Sequence, residues 1–173
     1  MNHWYMLTLV GEDSPGIVAD VTHALFEGGC NLGEASMIRL GGNFTIMLMV
    51  QTRLSRIELD ELVRPAADAR HLLVHVDSIE GRLHQHAEPD VQITVYGADR
   101  AGIVAQVTGV LAAAGLNILD LDSAVGGSSD KPIYIMSIEG QAAQGIEALE
   151  QALEPVREGG IEVSVTPIDT MVG

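Results

Sequence analysis

The chain has 173 residues, of which 47% are hydrophobic and 19% charged, a composition typical of a folded protein that excludes a disordered one. Its formal net charge of -15 at pH 7 argues against direct binding to nucleic acid, which depends on Lys and Arg meeting phosphates. No apolar run approaches the roughly 20 residues that a membrane helix needs, and no basic leader opens the chain, so we expect a cytoplasmic protein that does not bind membranes.

The first predicted element is a strand over residues 4–10, because its sequence, WYMLTLV, is rich in aromatic and β-branched residues. The stretch GEDSPG then breaks the strand. Ser14 is placed to cap a helix, and Pro15 fits the first helical position, where its missing N–H costs nothing. Apolar residues recur at helical spacing until Gly28-Gly29 stops the helix.

Two strands follow and form a hairpin. The segments 32–40 and 43–51 flank Gly41-Gly42, a pair typical of a tight hairpin turn. One face of the second strand consists of Phe44, Ile46, Leu48 and Val50. The other face consists of Thr45, Met47 and Met49, and we expect Met6 and Met37 to join it. An open sheet face that carries methionines predicts a contact surface.

A second helix begins at Ser55, which is expected to form a capping box with Glu58. We expect Pro65 to end or kink this helix. A strand over 71–76 completes the copy. The predicted buried stripe of the helix is Leu59, Leu62, Val63 and Ala66.

The same order of elements returns 86 residues later. Leu7–Asn31 aligns without a gap on Ile93–Asn117, and 12 of the 25 positions are identical. The second copy predicts strands over 91–97, 117–125, 132–139 and 161–166, helices over 102–114 and 144–154, and a longer hairpin, GGSSDKP. Repeats this long indicate duplicated domains. We predict a first domain over 1–80, a linker over 81–89 and a second domain over 90–173.

Each copy therefore has the order βαββαβ. This order predicts the α+β class, with two ferredoxin-like domains, each a four-stranded antiparallel sheet with two helices on one face. The other face of each sheet is open, so we expect the copies to pair with each other, with another chain, or both.

The pattern G-x-D-x-x-G-I-V-A-x-V-T, followed by Leu and then G-x-N, occurs in both copies and resembles the ACT domain. The tandem arrangement resembles the glycine cleavage system transcriptional repressor family. The resemblance implies a regulator that binds an amino acid, with glycine as a candidate, at an interface between two domains. It also implies control of a partner protein, and we expect a homodimer.

The resemblance implies that the loop before the first helix of each copy, and the Asn after that helix, belong to a ligand site. The candidates are Asp13, Ser14, Pro15, Gly16 and Asn31 in the first copy, and Asp99, Arg100, Gly102 and Asn117 in the second. A helix N-terminus attracts a carboxylate. An aspartate can meet an ammonium group, and an asparagine amide can both donate and accept.

The same residues also fit purely structural roles. The aspartates can cap helices, the glycines can allow close packing, and the asparagines can make turns after the helix stops. The copies differ, because Ser14-Pro15 becomes Arg100-Ala101, so we do not expect equal affinity at two sites.

The sequence contains no recognisable catalytic motif. A single cysteine, Cys30, excludes an internal disulfide and a multi-cysteine metal site, and no catalytic triad, acid/base pair or nucleotide loop is recognisable. We expect no catalytic residues, no metal, no cofactor and no enzyme activity. Because the chain also lacks a basic recognition helix, any control of transcription must act through another protein. The alternatives are a ligand-free interaction module and, third, a small enzyme on a ferredoxin-like fold.

Overall fold

The structure, a computed structural model, describes residues 1–80, 87–98 and 101–168. The chain divides into two compact units, Met1–Gln85 and His86–Gly173. The first unit consists of β1 (His3–Glu12), α1 (Ile17–Glu27), β2 (Asn31–Leu40), β3 (Asn43–Thr52), α2 (Arg56–Asp68) and β4 (Leu73–Ile79). The second consists of β5 (Val91–Ala98), α3 (Ile103–Ala113), β6 (Leu116–Ser128), β7 (Lys131–Ala142), α4 (Ile146–Glu158) and β8 (Glu162–Pro167).

Both units have the predicted βαββαβ order and the predicted antiparallel sheet. The strand orders are β2-β3-β1-β4 and β6-β7-β5-β8, so that β1 and β5 lie at the centre of their sheets. In each unit the two helices pack on one sheet face, because their buried residues join the buried strand residues in one core. The prediction of two ferredoxin-like α+β folds is therefore confirmed.

Cross-strand pairs build the core of each unit. In the first unit Leu7 lies opposite Leu48 on one side and Val76 on the other, and all three are buried. In the second, Ile93 lies opposite the buried Ile138 and the partly buried Val165. The predicted buried face of β3 is confirmed, since Phe44, Ile46, Leu48 and Val50 are all buried.

Helix α2 begins as predicted but does not end at Pro65. The helix continues to Asp68, and the backbone N–H of Ala69 still donates to the carbonyl oxygen of Pro65. Pro65 lacks an N–H group and so removes its own helical hydrogen bond, yet the helix continues for three more residues. Pro155 lies inside α4 in the same way, so that this helix extends beyond its predicted end. The buried residues of α2 are Leu59, Val63 and Ala67, whereas Leu62 and Ala66 are only half-buried.

The capping box at Ser55 is confirmed. The backbone N–H of Glu58 donates to Ser55 Oγ at 3.3 Å, and the N–H of Ser55 donates to Glu58 Oε2 at 2.7 Å. The backbone and side chain of Ser55 together hold the pKa of Glu58 below its ordinary value. A lowered pKa means that this stabilisation is present above the ordinary glutamate pKa and is lost as the pH falls through the lowered value.

We expect Ser55→Ala to lower the free energy of unfolding of the first unit by about 1 kcal/mol, because the variant leaves a helix N–H group without its acceptor. Urea unfolding at neutral pH measures the change. Ser14→Ala is the matched control, since Ser14 does not cap α1, and should stay within about 0.5 kcal/mol of the wild type. Equal effects of the two variants would contradict the structural assignment.

The hairpin of the second unit is shorter than predicted. Strands β6 and β7 pair up to Ser128 and Lys131, leaving two residues between them. A Cβ on Gly127 would lie 2.5 Å from the Lys131 carbonyl oxygen, so glycine allows the strands to approach where a loop was expected. The last strand of the first unit begins later than the predicted strand over 71–76. It starts at Leu73, after a turn in which His71 has φ 54°.

The open face of the first sheet carries most of the predicted methionines but not Met37. Met6 lies opposite Met49, and Met47 opposite Thr8, on the face away from the helices. Met37 lies opposite the buried Ile46 and therefore shares the helix side, where it is 51% exposed. The prediction for Met37 is wrong because a bulge between Leu32 and Ala35 reverses the facing of the rest of β2.

Candidate functional site

The first loop, residues 13–16, joins β1 to α1. The helix begins at Ile17, and its N-cap is Gly16, in the left-handed conformation with φ 93°. No side chain caps this terminus, so the predicted cap at Ser14 and the predicted helical position of Pro15 are wrong. A residue with a Cβ is strained at such a φ, which explains why glycine stands here. The first N–H groups of α1 are left without side-chain acceptors.

Asp13 already has a cationic partner. Its Oδ2 lies 2.5 Å from Nη2 of Arg39 on β2, and its backbone N–H donates to the carbonyl oxygen of Gly42. The aspartate thus ties the loop to the β2–β3 hairpin. It does not cap α1.

Arg70, in the turn after α2, covers the same loop. Its Nη1 donates to the carbonyl oxygen of Pro15 at 2.8 Å, and its Nε and Nη2 donate to Asp20 Oδ2 at 2.9 and 2.6 Å. A Cβ on Gly16 would lie only 2.9 Å from Nη2 of Arg70. The guanidinium therefore lies against the N-terminus of α1.

Asn31 lies at the opposite end of the first unit. Asn31 pairs with Gln51, whereas Asp13 bonds to Gly42. Gln51 and Gly42 are nine positions apart along β3 and the turn before it, which corresponds to about 30 Å at 3.3 Å per residue. One small ligand cannot touch both residues within one unit. Asn31 lines a cavity of about 380 Å³, together with Asn2, Gly28, Gly29, Gln51, Thr52, Arg53 and Leu54.

In the second unit, the candidates Asp99 and Arg100 lie outside the described residues. Gly102 is the N-cap of α3, with φ 88°, and no described side chain caps this terminus, as at Gly16 for α1. Among the residues that the structure describes, none would have an atom within 4 Å of a Cβ on Gly102. A cavity of about 420 Å³ opens at the end of β5 and is lined by Tyr96, Gly97, Ile133, Gly160 and Glu162.

Asn117 occupies the position equivalent to Asn31. It is exposed and pairs with Gln141, as Asn31 pairs with Gln51. A Cβ on the neighbouring Gly115 would lie 3.0 Å from the Gln144 amide nitrogen, whereas the equivalent Gly29 has nothing within 4 Å. The surroundings of Asn31 and Asn117 therefore differ, because a glutamine side chain lies close to the glycine beside Asn117.

Three residues at the first loop were not among the sequence candidates: Arg39, Arg70 and Asp20. Arg39 lies on β2, two strands away from β1, and Arg70 is 50 residues from Asp20, so no local motif links them to the loop. The sequence feature that could have drawn attention to Arg70 is a difference between the two copies. The turn Ala69-Arg70-His71 of the first copy is replaced by the shorter Gly159-Gly160 in the second.

Among the described residues, the ionisable groups with clear pKa shifts lie in helices α2 and α4. The hydrogen bond to Glu150 is the main cause that raises the pKa of Arg157, and the hydrogen bond to Asp60 raises that of Arg64. A raised pKa keeps each guanidinium protonated at neutral pH, so neither arginine becomes an acid or base for catalysis. Across the described ranges, no group of three or more His, Cys, Asp or Glu residues could hold a metal ion. No helix in those ranges is long and apolar enough to cross a membrane.

Comparison with known proteins gives a consistent family. Two profiles described as ACT domain match residues 3–77 and 91–158, which together make up most of the chain. The glycine cleavage system transcriptional repressor of Escherichia coli is 28% identical over 122 residues, a match that covers 70% of this chain and 64% of that protein. The match thus spans less than two thirds of the repressor.

Two crystal structures show the same fold over nearly the whole chain. A protein of unknown function from Galdieria sulphuraria has a TM-score of 0.78 at 22% identity, with 97% of this chain and 99% of that chain covered. A structure assigned provisionally to the glycine cleavage system transcriptional repressors has a TM-score of 0.71 at 19% identity, with 97% and 98% covered.

Proposed function

Because the chain belongs to the ACT domain family, with two domains in tandem, we propose that it is a non-catalytic regulator that binds an amino acid and controls a partner protein. The observation that carries the proposal is that the first helix of each unit begins after a left-handed glycine, Gly16 or Gly102, with no side-chain cap among the described residues. Free N–H groups at such a terminus, together with the helix dipole, suit the carboxylate of an amino acid.

A complete site needs two ACT domains. The loop and the asparagine lie about 30 Å apart along one sheet, and β2 runs from Asn31 at one end to Leu40 beside the loop end. If a second ACT domain pairs with this edge strand in antiparallel orientation, its asparagine comes beside the loop of the first. This arrangement would unite the two halves of the candidate site.

Glycine is the first ligand to test, and the partner is proposed to be a protein. The choice of glycine as the ligand follows from the similarity to the glycine cleavage system transcriptional repressor. The net charge of -15 disfavours direct contact with nucleic acid. Ligand binding would act by favouring one arrangement of the domains and so changing the affinity for the partner.

We expect glycine, or another standard amino acid, to give saturable binding in calorimetry. The double variant Asn31→Ala, Asn117→Ala should weaken this binding by about tenfold or more, since it removes amide groups that donate to and accept from the ligand. Gln151→Ala, which removes an exposed amide on α4, is the control and should leave the affinity unchanged. Unchanged binding in the double variant would contradict the assignment of the asparagines.

The exposed apolar residues of the edge strand β2 favour a second candidate, a ligand-free interaction module. Met37, Ile38 and Leu40 are 51%, 61% and 75% exposed. A pulldown from the native cell with and without glycine separates the two functions. A partner captured equally in both conditions, combined with no amino acid binding, would favour the interaction module.

A further inference from the structure

We propose that the cavity beside Asn31 in the first unit binds a small organic anion through its carboxylate, with Arg53 as the cationic partner. The inference goes beyond the proposed function, because this site needs only one unit and uses neither of the loops before α1 and α3. It assigns to the first unit a second class of ligand, which carries a net negative charge.

The cavity collects polar side chains that have no other partner. Its volume of about 380 Å³ lies within the ordinary range of small-molecule sites. Its lining includes four side chains that form no hydrogen bond or ion pair with any residue that the structure describes: Asn2, Asn31, Gln51 and Arg53. Their donors and acceptors line a common space and are available to a bound molecule.

Arg53 determines the sign of the ligand's charge, since it is the one charged residue among the described residues that line the cavity. A guanidinium carries forked N–H donors that match the two oxygens of a carboxylate. Because that lining includes no Asp or Glu, the ammonium group of a zwitterion would find no charged partner there, so a ligand with a net negative charge is favoured. The guanidinium groups of Arg39 and Arg70, by contrast, already pair with aspartates.

The amides beside Arg53 favour a further group on the ligand. Asn31 and Gln51 lie directly opposite each other on β2 and β3, and residues so placed have adjacent side chains. A primary amide both donates and accepts hydrogen bonds, so this pair suits a hydroxyl group next to the carboxylate. Gly29 also lines the cavity, and no atom of the described residues would lie within 4 Å of an added Cβ there, so this side is open to a ligand.

The equivalent end of the second unit has no cation. The strand pairing places Gln141 at the position of Gln51. Two residues further along the chain, Ala143 therefore stands at the position of Arg53. An alanine supplies neither a charge nor a side-chain donor, so we do not expect a carboxylate to bind there.

The segment before β5 also occupies the polar groups at this end of the second unit. The side-chain amide nitrogen of Gln141 donates to the carbonyl oxygen of Glu88 at 3.1 Å. Asp90 Oδ1 accepts a hydrogen bond of 2.9 Å from the backbone N–H of Ala142. The amide that is free in the first unit is thus already bound to the chain itself in the second.

Amide NMR of the full chain titrated with glycolate tests the inference. Glycolate has a carboxylate and a hydroxyl group but no ammonium group, and malate is a larger probe of the same class. We expect saturable shifts at the backbone amides of Gly29, Gln51 and Arg53 and none at those of Gln141 and Ala143. Sodium chloride at the same ionic strength should not produce these shifts. If it does, an inorganic anion suffices and the assignment to a carboxylate is overturned.

Arg53→Gln should weaken glycolate binding by about tenfold or more, because a charge-assisted hydrogen bond is lost. The chain carries a net charge of -15, so attraction of an anion to this cavity depends on the local cation. The variant should unfold in urea as the wild type does, since Arg53 has no partner among the described residues. Arg53→Lys keeps the charge but not the forked donors, and its affinity should lie between the two.

Arg56→Gln is the matched control. Arg56 is also an exposed arginine, three residues further along the chain, and it does not line this cavity. The control should therefore leave the glycolate affinity unchanged. An equal loss in Arg56→Gln and Arg53→Gln would show that only the general charge of this surface attracts the anion, and would overturn the inference.

Glycine separates this site from the proposed amino acid site. Because the carboxylate of glycine is assigned to a helix N-terminus, Arg53→Gln should leave the glycine affinity unchanged, and an equal loss for glycine and glycolate would overturn the inference. An absence of saturable shifts with both glycolate and malate would also overturn it, and would leave the proposed function standing. Glycolate binding without binding of any standard amino acid would support this inference while the proposed function fails.

Discussion

Leu7→Ala is expected to lower the free energy of unfolding of the first unit by about 2–5 kcal/mol, the range for a fully buried leucine. Leu7 is 0% exposed and lies in the central strand β1, between Leu48 and Val76. Helix residues of α1 and α2 close the core above this row. The variant therefore leaves a cavity that neighbours on both sides cannot easily fill.

Thermal or urea unfolding followed by amide NMR measures this change for each unit separately. Because the buried clusters of the two units share no residue, the second unit should keep its own transition midpoint. Leu73→Ala is the matched control, since Leu73 is 76% exposed, and should change stability by less than about 0.5 kcal/mol. A loss of both units together in Leu7→Ala would show that the duplicated domains do not unfold independently.

The duplication made the fold predictable. A short apolar segment by itself fits either a helix or a strand. Two aligned copies that are interrupted at the same positions give independent support to the same order of elements. Local sequence patterns were also predictive. The capping box of Ser55 and Glu58 forms, and the alternate residues of β3 that start at Phe44 are buried. These features depend on neighbours within a few residues, which a sequence pattern contains.

The helix starts show how a plausible local signal can mislead. Ser14-Pro15 has the residue types of a capped helix start, yet α1 begins after Gly16. The second copy has Arg100-Ala101 at those positions and keeps only the glycine, so the alignment itself pointed to Gly16 and Gly102. Met37 was misplaced for a different reason, since one extra residue in a bulge reverses every later side chain on the strand.

The candidate site could be predicted only in part. The loop and the asparagine are local motifs, and the structure places each at the end of a strand. The contact of Arg70 with Pro15 and Asp20 joins residues 50 or more positions apart through side chains alone, and no periodicity encodes such a contact. The separation of Asp13 from Asn31 follows from strand register, which requires the assembled sheet.

Gly140→Ala is expected to destabilise the second unit by about 1–3 kcal/mol, because its new methyl group has no room. Gly140 lies in β7 and pairs with Ile118, next to the bulge of β6. A Cβ there would lie 2.5 Å from the carbonyl oxygen of Asn117, a backbone atom that cannot rotate away. The first unit has Val50 at the equivalent position, so the substitution makes the two units more alike and yet should be unfavourable.

The same substitution at Gly109 should have the opposite sign. Gly109 lies within α3, and no atom of the described residues would lie within 4 Å of its added Cβ. Gly109→Ala should therefore stabilise the helix by about 0.5–1 kcal/mol through propensity alone. Urea unfolding of both variants measures the pair. If Gly140→Ala proves as stable as the wild type, then β6 can move at Asn117. The close approach of these strands would then not be what holds that candidate ligand residue in place.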